Sequence, residues 1–272
     1  MDVHTASLLT CPNDSGRLIQ SEKGYRCDLC GHEFVITDNI LDLLPIDTSQ
    51  AHLRENYNAI FSQRPDRAWM RPLRTLIANL GNAYLYSWAA RRSEQIAGAR
   101  SLTILDAACG DGMLRPWVSK RHRYVGVDFS ARPLLRAARI YSDTYVRGDL
   151  TRLPFADGSF DLAVSLQALQ YLEHPNKAIR EIGRVLKPDG HFLLSVPNIG
   201  SIKYRLQDVP SIQLQMFDRN NLLAWLSQYF DVTEIVTRGL WVPVPKIGVH
   251  LGGTYSSSIG LSWTTMNKLR NP

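Results

Sequence analysis

The chain has 272 residues, 44% of them apolar and 21% charged, enough to bury a sizeable core in one large α/β domain with a small appendage. No run approaches the 18 or so uninterrupted apolar residues of a membrane span, and Met1 to Thr5 has an early acid and no signal-like apolar stretch, so a cytoplasmic chain is expected. The net charge of +6 is uneven: residues 1–47 carry −5, which leaves +11 on the remainder. The arginines between Arg54 and Arg147 suit either an acidic ligand or a solvated helical surface.

In chain order, residues 1–47 form the first module. Three of the four cysteines lie in its first thirty positions, which excludes a disulfide framework. Cys27-Asp28-Leu29-Cys30 is an intact CxxC knuckle, whereas Cys11-Pro12-Asn13-Asp14 has a carboxylate where a second cysteine would stand. Two such knuckles surround a metal tetrahedrally. The module is similar to a small zinc ribbon, and that resemblance makes Cys11, Asp14, Cys27 and Cys30 the metal ligands, with His32 as a substitute. The alternative is a fold that has lost the metal and is kept by Phe34, Ile36, Ile40, Leu43 and Leu44.

Residues 48–100 read as a helical connector or lid. Leu73, Ile77, Leu80, Tyr84 and Trp88 recur at helical spacing, with Gly81 expected to loosen or break the helix. Tyr57, Phe61, Trp69, Tyr84, Tyr86 and Trp88 make it rich in aromatics, most of them suited to core packing.

Residues 101–272 alternate as a doubly wound α/β domain. Strands are expected at 102–106, 123–128, 145–148, 160–166 and 191–196, with helices between them. In one helix Ala178, Ile179, Ile182, Val185 and Leu186 face the sheet, Arg180, Glu181, Arg184 and Lys187 face water, and Pro188-Asp189-Gly190 stops it. A helix over Phe217 to Phe230, a strand over 231–237 and a last strand between Trp241 and Tyr255 complete the reading.

The chemistry concentrates at three strand ends. Ile104-Leu105-Asp106-Ala107-Ala108-Cys109-Gly110-Asp111-Gly112 is an apolar run entering a glycine-rich turn; Asp128 closes the next run and Asp149 follows the third. That spacing reads as a nucleoside pocket on a parallel sheet. Glycine lets the backbone lie close to a ligand. The two oxygens of Asp128 can accept from both hydroxyls of an unphosphorylated ribose. Asp149 is placed to accept from an adenine amino group, with Phe129 and Leu150 as apolar cover.

The stretch from residue 101 to 198 resembles a class I S-adenosylmethionine-dependent methyltransferase of the broad type 11 group. Leu105, Asp106, Ala108, Gly110 and Gly112 match its first motif, with Ala108 departing from glycine. Leu153-Pro154-Phe155-Ala156-Asp157-Gly158-Ser159-Phe160-Asp161, Tyr171-Leu172-Glu173-His174-Pro175 and Arg184-Val185-Leu186-Lys187-Pro188-Asp189-Gly190 continue the match. The resemblance implies a mostly parallel seven-stranded sheet and S-adenosylmethionine as cofactor. It places Asp106, Ala108, Gly110, Gly112, Asp128, Phe129, Asp149, Leu150 and Gln167 in the cofactor pocket, and Tyr57 on a lid above it. Cys109 has no chemical role.

Methyl transfer from a sulfonium needs a base only where the acceptor must lose a proton. Gln167, Gln170, Tyr171, Glu173 and His174, after the fourth strand, are the candidates, Tyr171 and His174 foremost; an ordinary histidine titrates near 6.5 and suits that task, although in the family that the stretch resembles the histidine more often orders its loop. The Asn/Asp-Pro-Pro-aromatic motif of adenine and glutamine N-methylation is absent at this strand end. The reading is methyl transfer to oxygen, nitrogen or carbon of a small-molecule acceptor. An RNA methyltransferase is the alternative, because a zinc ribbon on a basic domain also occurs in ribosomal RNA guanine methylation, and a non-catalytic partner is the third reading. Nothing in the sequence sets the oligomeric state.

Overall fold

The computed structural model describes residues 3–46, 71–198, 215, 217–238 and 262–269. Tyr57, Phe61 and Trp69 of the expected lid lie outside them, as does the strand expected between Trp241 and Tyr255.

The first module comprises α1 (Val3–Leu8), β1 (Leu18–Ser21), β2 (Gly24–Cys27), β3 (Glu33–Thr37) and β4 (Ile40–Asp42), the four strands joined antiparallel in sequence. A long helix, α2 (Arg71–Ala97), leads into β5 (Thr103–Ala107). It runs through Gly81 without a break, because one interior glycine costs only about 1 kcal/mol and the last four turns pack on the core through Leu85, Trp88, Ala89 and Ala97. The chain continues with β6 (Arg123–Asp128), α3 (Ala131–Ile140), β7 (Thr144–Arg147), β8 (Phe160–Leu166), α4 (Pro175–Val185), β9 (Leu186–Pro197), α5 (Arg219–Leu226), β10 (Phe230–Arg238) and β11 (Ser262–Leu269).

These strands form one sheet in the order β1-β2-β3-β4-β7-β6-β5-β8-β9-β11-β10. β4 through β9 lie parallel in that sheet, and β11 runs antiparallel between β9 and β10. Six of the seven strands expected for the domain are present as β5 to β10, β11 lies beyond the range expected for the seventh, and the sheet has eleven strands. The difference arises because Ile40–Asp42 pairs with the edge of β7, matching Leu41 to Val146 and Asp42 to Arg147. An exposed strand edge offers unpaired N–H and C=O groups, and the N-terminal module covers it.

Helices do not fill every crossover. Between β5 and β6 the expected helix is a glycine-rich turn and one 3-10 turn at Arg115–Trp117, and residues 148–159 reach β8 as a loop. α4 ends at Val185, and Leu186 and Lys187 already belong to β9.

The sheet is buried on both faces, as parallel sheets are. Alternation along each strand sends neighbours to opposite sides: Leu105, Val125, Ala163 and Phe192 join one core with α4, α5 and the first module, while Ile104, Tyr124, Leu162 and Leu193 join the other with α2 and α3. Leu43, fully buried, shares the first core with Phe155. Truncating Leu43 to alanine is expected to remove about 2–5 kcal/mol from unfolding of the described chain. Because the core is shared, denaturant unfolding should show that loss in a single transition; two transitions, with only the first displaced, would show a module that unfolds by itself.

Candidate functional site

Four parallel strands end along one edge, at Ala107, Asp128, Arg147 and Leu166. The turn after β5 is fixed to β6 by the amides of Ala108 and Cys109, both donating to the Val127 carbonyl at 2.8 and 3.0 Å. Ala108 has φ +70°, a left-handed conformation that costs a residue with a Cβ about 1–2 kcal/mol. Gly110 has φ +53° and no atom within 4 Å of where a Cβ would lie, so the backbone there faces open space. Gly112 differs: at φ +71° its Cβ position is closed by Tyr145, Ala137 and Tyr141 at 3.1–3.2 Å. Gly110 leaves room for a ligand, and Gly112 serves packing.

Three carboxylates gather on this edge. Asp128 accepts from the Gly110 amide through Oδ2 at 2.9 Å and from the Ser130 amide through Oδ1 at 2.8 Å. A carboxylate has about four acceptor positions, so both oxygens can still receive a hydroxyl. Removal from water raises its pKa, opposed by those two amides and reinforced by Asp111. Asp149 is buried, and its Oδ1 accepts the amide and hydroxyl of Thr151, each at 2.8 Å. Its Oδ2 accepts nothing among the described residues. Asp106 is 4% exposed and receives the Tyr124 hydroxyl on Oδ2. Burial pushes its pKa up to about 7, the negative charge of Asp128 adds to the rise and the Tyr124 bond opposes it. Tyr86 on α2 feels the same field: burial raises its phenol to about 12, with Asp106 and Asp111 adding to the rise.

Phe129 is half-buried and Leu150 buried beside these acids. Gln167, at φ +56°, donates its side-chain amide to the Ser195 hydroxyl at 2.6 Å, so β9 fixes its orientation. Tyr171 is half-buried on the 3-10 turn Leu169–Tyr171. His174 is exposed at the N-cap of α4, its carbonyl accepting from the Lys177 amide at 3.1 Å. Cys109 is buried, which raises its thiol well above the usual range and leaves it inert.

One correction concerns α4. Glu181, expected to face water, is 9% exposed and accepts the Leu153 amide at 3.0 Å, while Arg184 donates to the carbonyls of Phe155 (2.7 Å) and Leu153 (2.9 Å) and pairs with Asp157 and Glu181. This pair holds the loop 153–157. Glu181 lies three residues after Ala178 and four before Val185, on the inner face, so helical spacing carried the signal although residue type opposed it.

In the first module, ligand-capable atoms of Cys11, Asp14, Cys27 and Cys30 all lie within 4.8 Å of one another. Cys11 Sγ is 3.8 Å from Cys30 Sγ, and Cys27 Sγ is 3.3 Å from Asp14 Oδ1. Tetrahedral bonds of about 2.3 Å to sulfur place ligand sulfurs roughly 3.8 Å apart, so the spacing fits one metal ion. The Gly16 amide holds Asp14 at 2.9 Å and is the main reason its carboxyl is lowered to about 2; burial pushes the Cys11 thiol up to about 12. His32 is not in the group and stacks edge-on against Phe34, ring centres 4.7 Å apart.

A methyltransferase-domain family model matches residues 105–194, the stretch that builds this edge. Malonyl-(acyl-carrier protein) O-methyltransferase of Buchnera aphidicola is 41% identical over 108 residues, 38% of this chain and 42% of that one. Demethylmenaquinone methyltransferase of Renibacterium salmoninarum is 30% identical over 135 residues, covering 46% and 57%. The chain thus spans about half the length of these relatives. Among solved structures, a chain of the complex between the Haloferax volcanii Trm112 methyltransferase activator and a methyltransferase aligns over 73% of this chain and 96% of its own, with TM-score 0.52 and 20% identity. An S-adenosylmethionine-dependent methyltransferase of Thermotoga maritima aligns over 80% and 99%, with TM-score 0.53 and 17% identity. These two show the shared fold. Among the described residues no helix is long and apolar enough to cross a membrane.

Two measurements follow from the geometry. Ala108→Gly relieves the left-handed strain and is expected to stabilise the chain by about 1 kcal/mol, read from urea midpoints. Asp106 titrates higher in the folded chain than in the unfolded one, so the fold binds the extra proton between about pH 4 and pH 7 and loses stability as pH rises through that window. Asp106→Asn should flatten that decline in urea titrations at pH 4, 5, 6 and 7; an unchanged slope would place the proton elsewhere.

Proposed function

We propose that this chain transfers a methyl group from S-adenosylmethionine to a small-molecule acceptor. The observation that carries this reading is the edge itself: Gly110 has open space beside its backbone, its amide binds Asp128, which has lone pairs to spare, and Asp149 keeps one oxygen that accepts nothing among the described residues. The donor set fits an adenosine group, with Asp128 holding the ribose, Asp149 the adenine amino group and Phe129 and Leu150 flanking the base. A ligand that carries an ammonium and a sulfonium would draw the Asp106 carboxyl, raised to about 7 by burial, toward its charged form. The cofactor supplies an already activated methyl group. The chain's task is then to hold donor and acceptor in line, which removes the entropy of encounter and contributes about 7–11 kcal/mol in favourable systems. No base is required for an acceptor that is already nucleophilic; Tyr171 and His174, at the carboxyl end of β8, are the residues proposed to take a proton where one must leave.

The relatives act, by their names, on a malonyl group carried by acyl-carrier protein and on demethylmenaquinone. Both acceptors present a small reactive group, which supports the small-molecule reading over RNA. The first module is proposed to hold one zinc ion through Cys11, Cys27, Cys30 and Asp14. Three sulfur donors favour zinc over the hard divalent cations.

Asp128→Ala deprives two hydroxyls of a charged acceptor and is expected to weaken S-adenosylhomocysteine binding by about 1.5–3 kcal/mol, roughly 10- to 150-fold, in calorimetric titration. Equal affinity in variant and parent would reject the ribose assignment. Elemental analysis of the purified chain should find close to one zinc per molecule, and a chelator should lower the melting temperature. A chain that purifies metal-free and whose melting ignores both chelator and added zinc would remove the metal from the reading. Salt separates the acceptors: an RNA held by arginines would lose affinity by about 0.7 log unit per log unit of salt for each phosphate neutralised, and generic RNA is expected to bind only weakly near physiological salt.

A further inference from the structure

Two backbone seams join the first module to the methyltransferase domain, and both flank one loop. In the first, β4 lies on β7 and the Leu43 amide donates to the Arg147 carbonyl at 2.8 Å. In the second, the Thr10 amide donates to the Pro154 carbonyl at 3.1 Å and the Ala156 amide to the Leu8 carbonyl at 2.8 Å. Between them runs 148–153, the loop that contains Asp149 and Leu150. Each seam therefore fixes one end of the segment proposed to face the adenine.

A side-chain link adds to the seams. Arg147, 8% exposed, donates from Nη1 to Asp42 Oδ2 at 2.6 Å and from Nε to the Phe129 carbonyl at 3.1 Å. Phe129 stands between Asp128 and Ser130, and the Ser130 amide is one of the two donors that hold the Asp128 carboxylate. Asp42 is itself oriented, its Oδ1 accepting the Leu44 amide at 3.2 Å. One guanidinium thus spans from the N-terminal module to the peptide next to Asp128. A buried guanidinium that loses its carboxylate must find another partner or turn toward water, and either movement releases the Phe129 carbonyl.

We propose that Arg147 is a positioning residue that sets the cofactor affinity of the pocket and takes its own orientation from Asp42 of the N-terminal module. This rests on the cofactor reading above. The module then acts as a built-in splint: it orders the Asp128–Ser130 turn before the ligand arrives, so less ordering is left to oppose binding. Arginine suits the role because its planar fork fixes two acceptors at a set angle, which a lysine ammonium does not.

The test is calorimetric titration of S-adenosylhomocysteine into the full chain. Asp42→Asn and Arg147→Met are each expected to weaken binding at least fivefold, and the double variant to bind no more weakly than Arg147→Met alone, because the two residues act in series. Asp42→Glu, which keeps the charge, should recover most of the affinity. Glu94→Gln serves as control: it loosens ion pairs to Arg121 and His122 at the amino-terminal edge of the sheet, and should lower the melting temperature while leaving affinity within twofold. Should Arg147→Met not fold, Arg147→Lys and the Asp42 pair carry the same comparison. Parent-like affinity in Asp42→Asn, additive losses in the double variant, or an equal loss in Glu94→Gln would overturn the proposal. If Asp128→Ala still weakens binding, only the coupling has failed; if the parent chain binds no S-adenosylhomocysteine, the cofactor reading has failed and takes the coupling with it.

Discussion

Carboxylates gathered at the end of a parallel sheet dominate this molecule. Asp106, Asp128 and Asp149 sit where four strands stop, partly or wholly withdrawn from water, and a negative charge in such a place must be met by donors or by a cation. The chain meets it incompletely. Backbone amides hold Asp128, a threonine holds one oxygen of Asp149, and a tyrosine hydroxyl holds Asp106, whose carboxyl still rises to about 7. The electrostatic cost left over is what the proposed positively charged, hydroxyl-bearing ligand would relieve.

The parts of the structure that rest on local pattern were legible in the sequence. Apolar runs located β5, β6 and β8 to within a residue, and the alternation of helix and strand gave the doubly wound arrangement. The glycine-rich turn and the two acids stand at neighbouring strand ends, as their spacing in the sequence implied. The Cys11, Asp14, Cys27 and Cys30 cluster was legible from knuckle spacing, since each knuckle is a local turn. What escaped depended on partners far along the chain. Glu181 looks like a solvent residue until Leu153, 28 positions earlier, presents its amide. The pairing of β4 with β7 crosses about a hundred residues and leaves no mark in the composition of either strand. The side chain of Gln167 turns to Ser195, and nothing in the sequence around it announces that bond.

Ala108 shows how a local rule can be broken at a strand end. Glycine would sit there without strain, yet the chain keeps a methyl group at φ +70°. The position tolerates it because the amides of residues 108 and 109 both grip Val127, and two hydrogen bonds over-determine the turn. Backbone conformation, rather than residue type, therefore defines the turn in this chain. The same lesson applies to Gly110 and Gly112, identical in the motif and different in their surroundings.

The position of β11 has a consequence for how the molecule is made. Ser262–Leu269 inserts between β9 and β10, so the far side of the sheet cannot close until residues synthesised about thirty positions after β10 have left the ribosome. At the other margin the order is reversed, because β4 exists a hundred residues before the β7 edge it will cover. A nascent chain therefore carries one waiting strand and later two waiting edges, those of β9 and β10, each able to pair with the wrong neighbour. Folding during synthesis is thus set to proceed from the parallel strands outward, with β11 acting as the bolt that ends the exposure.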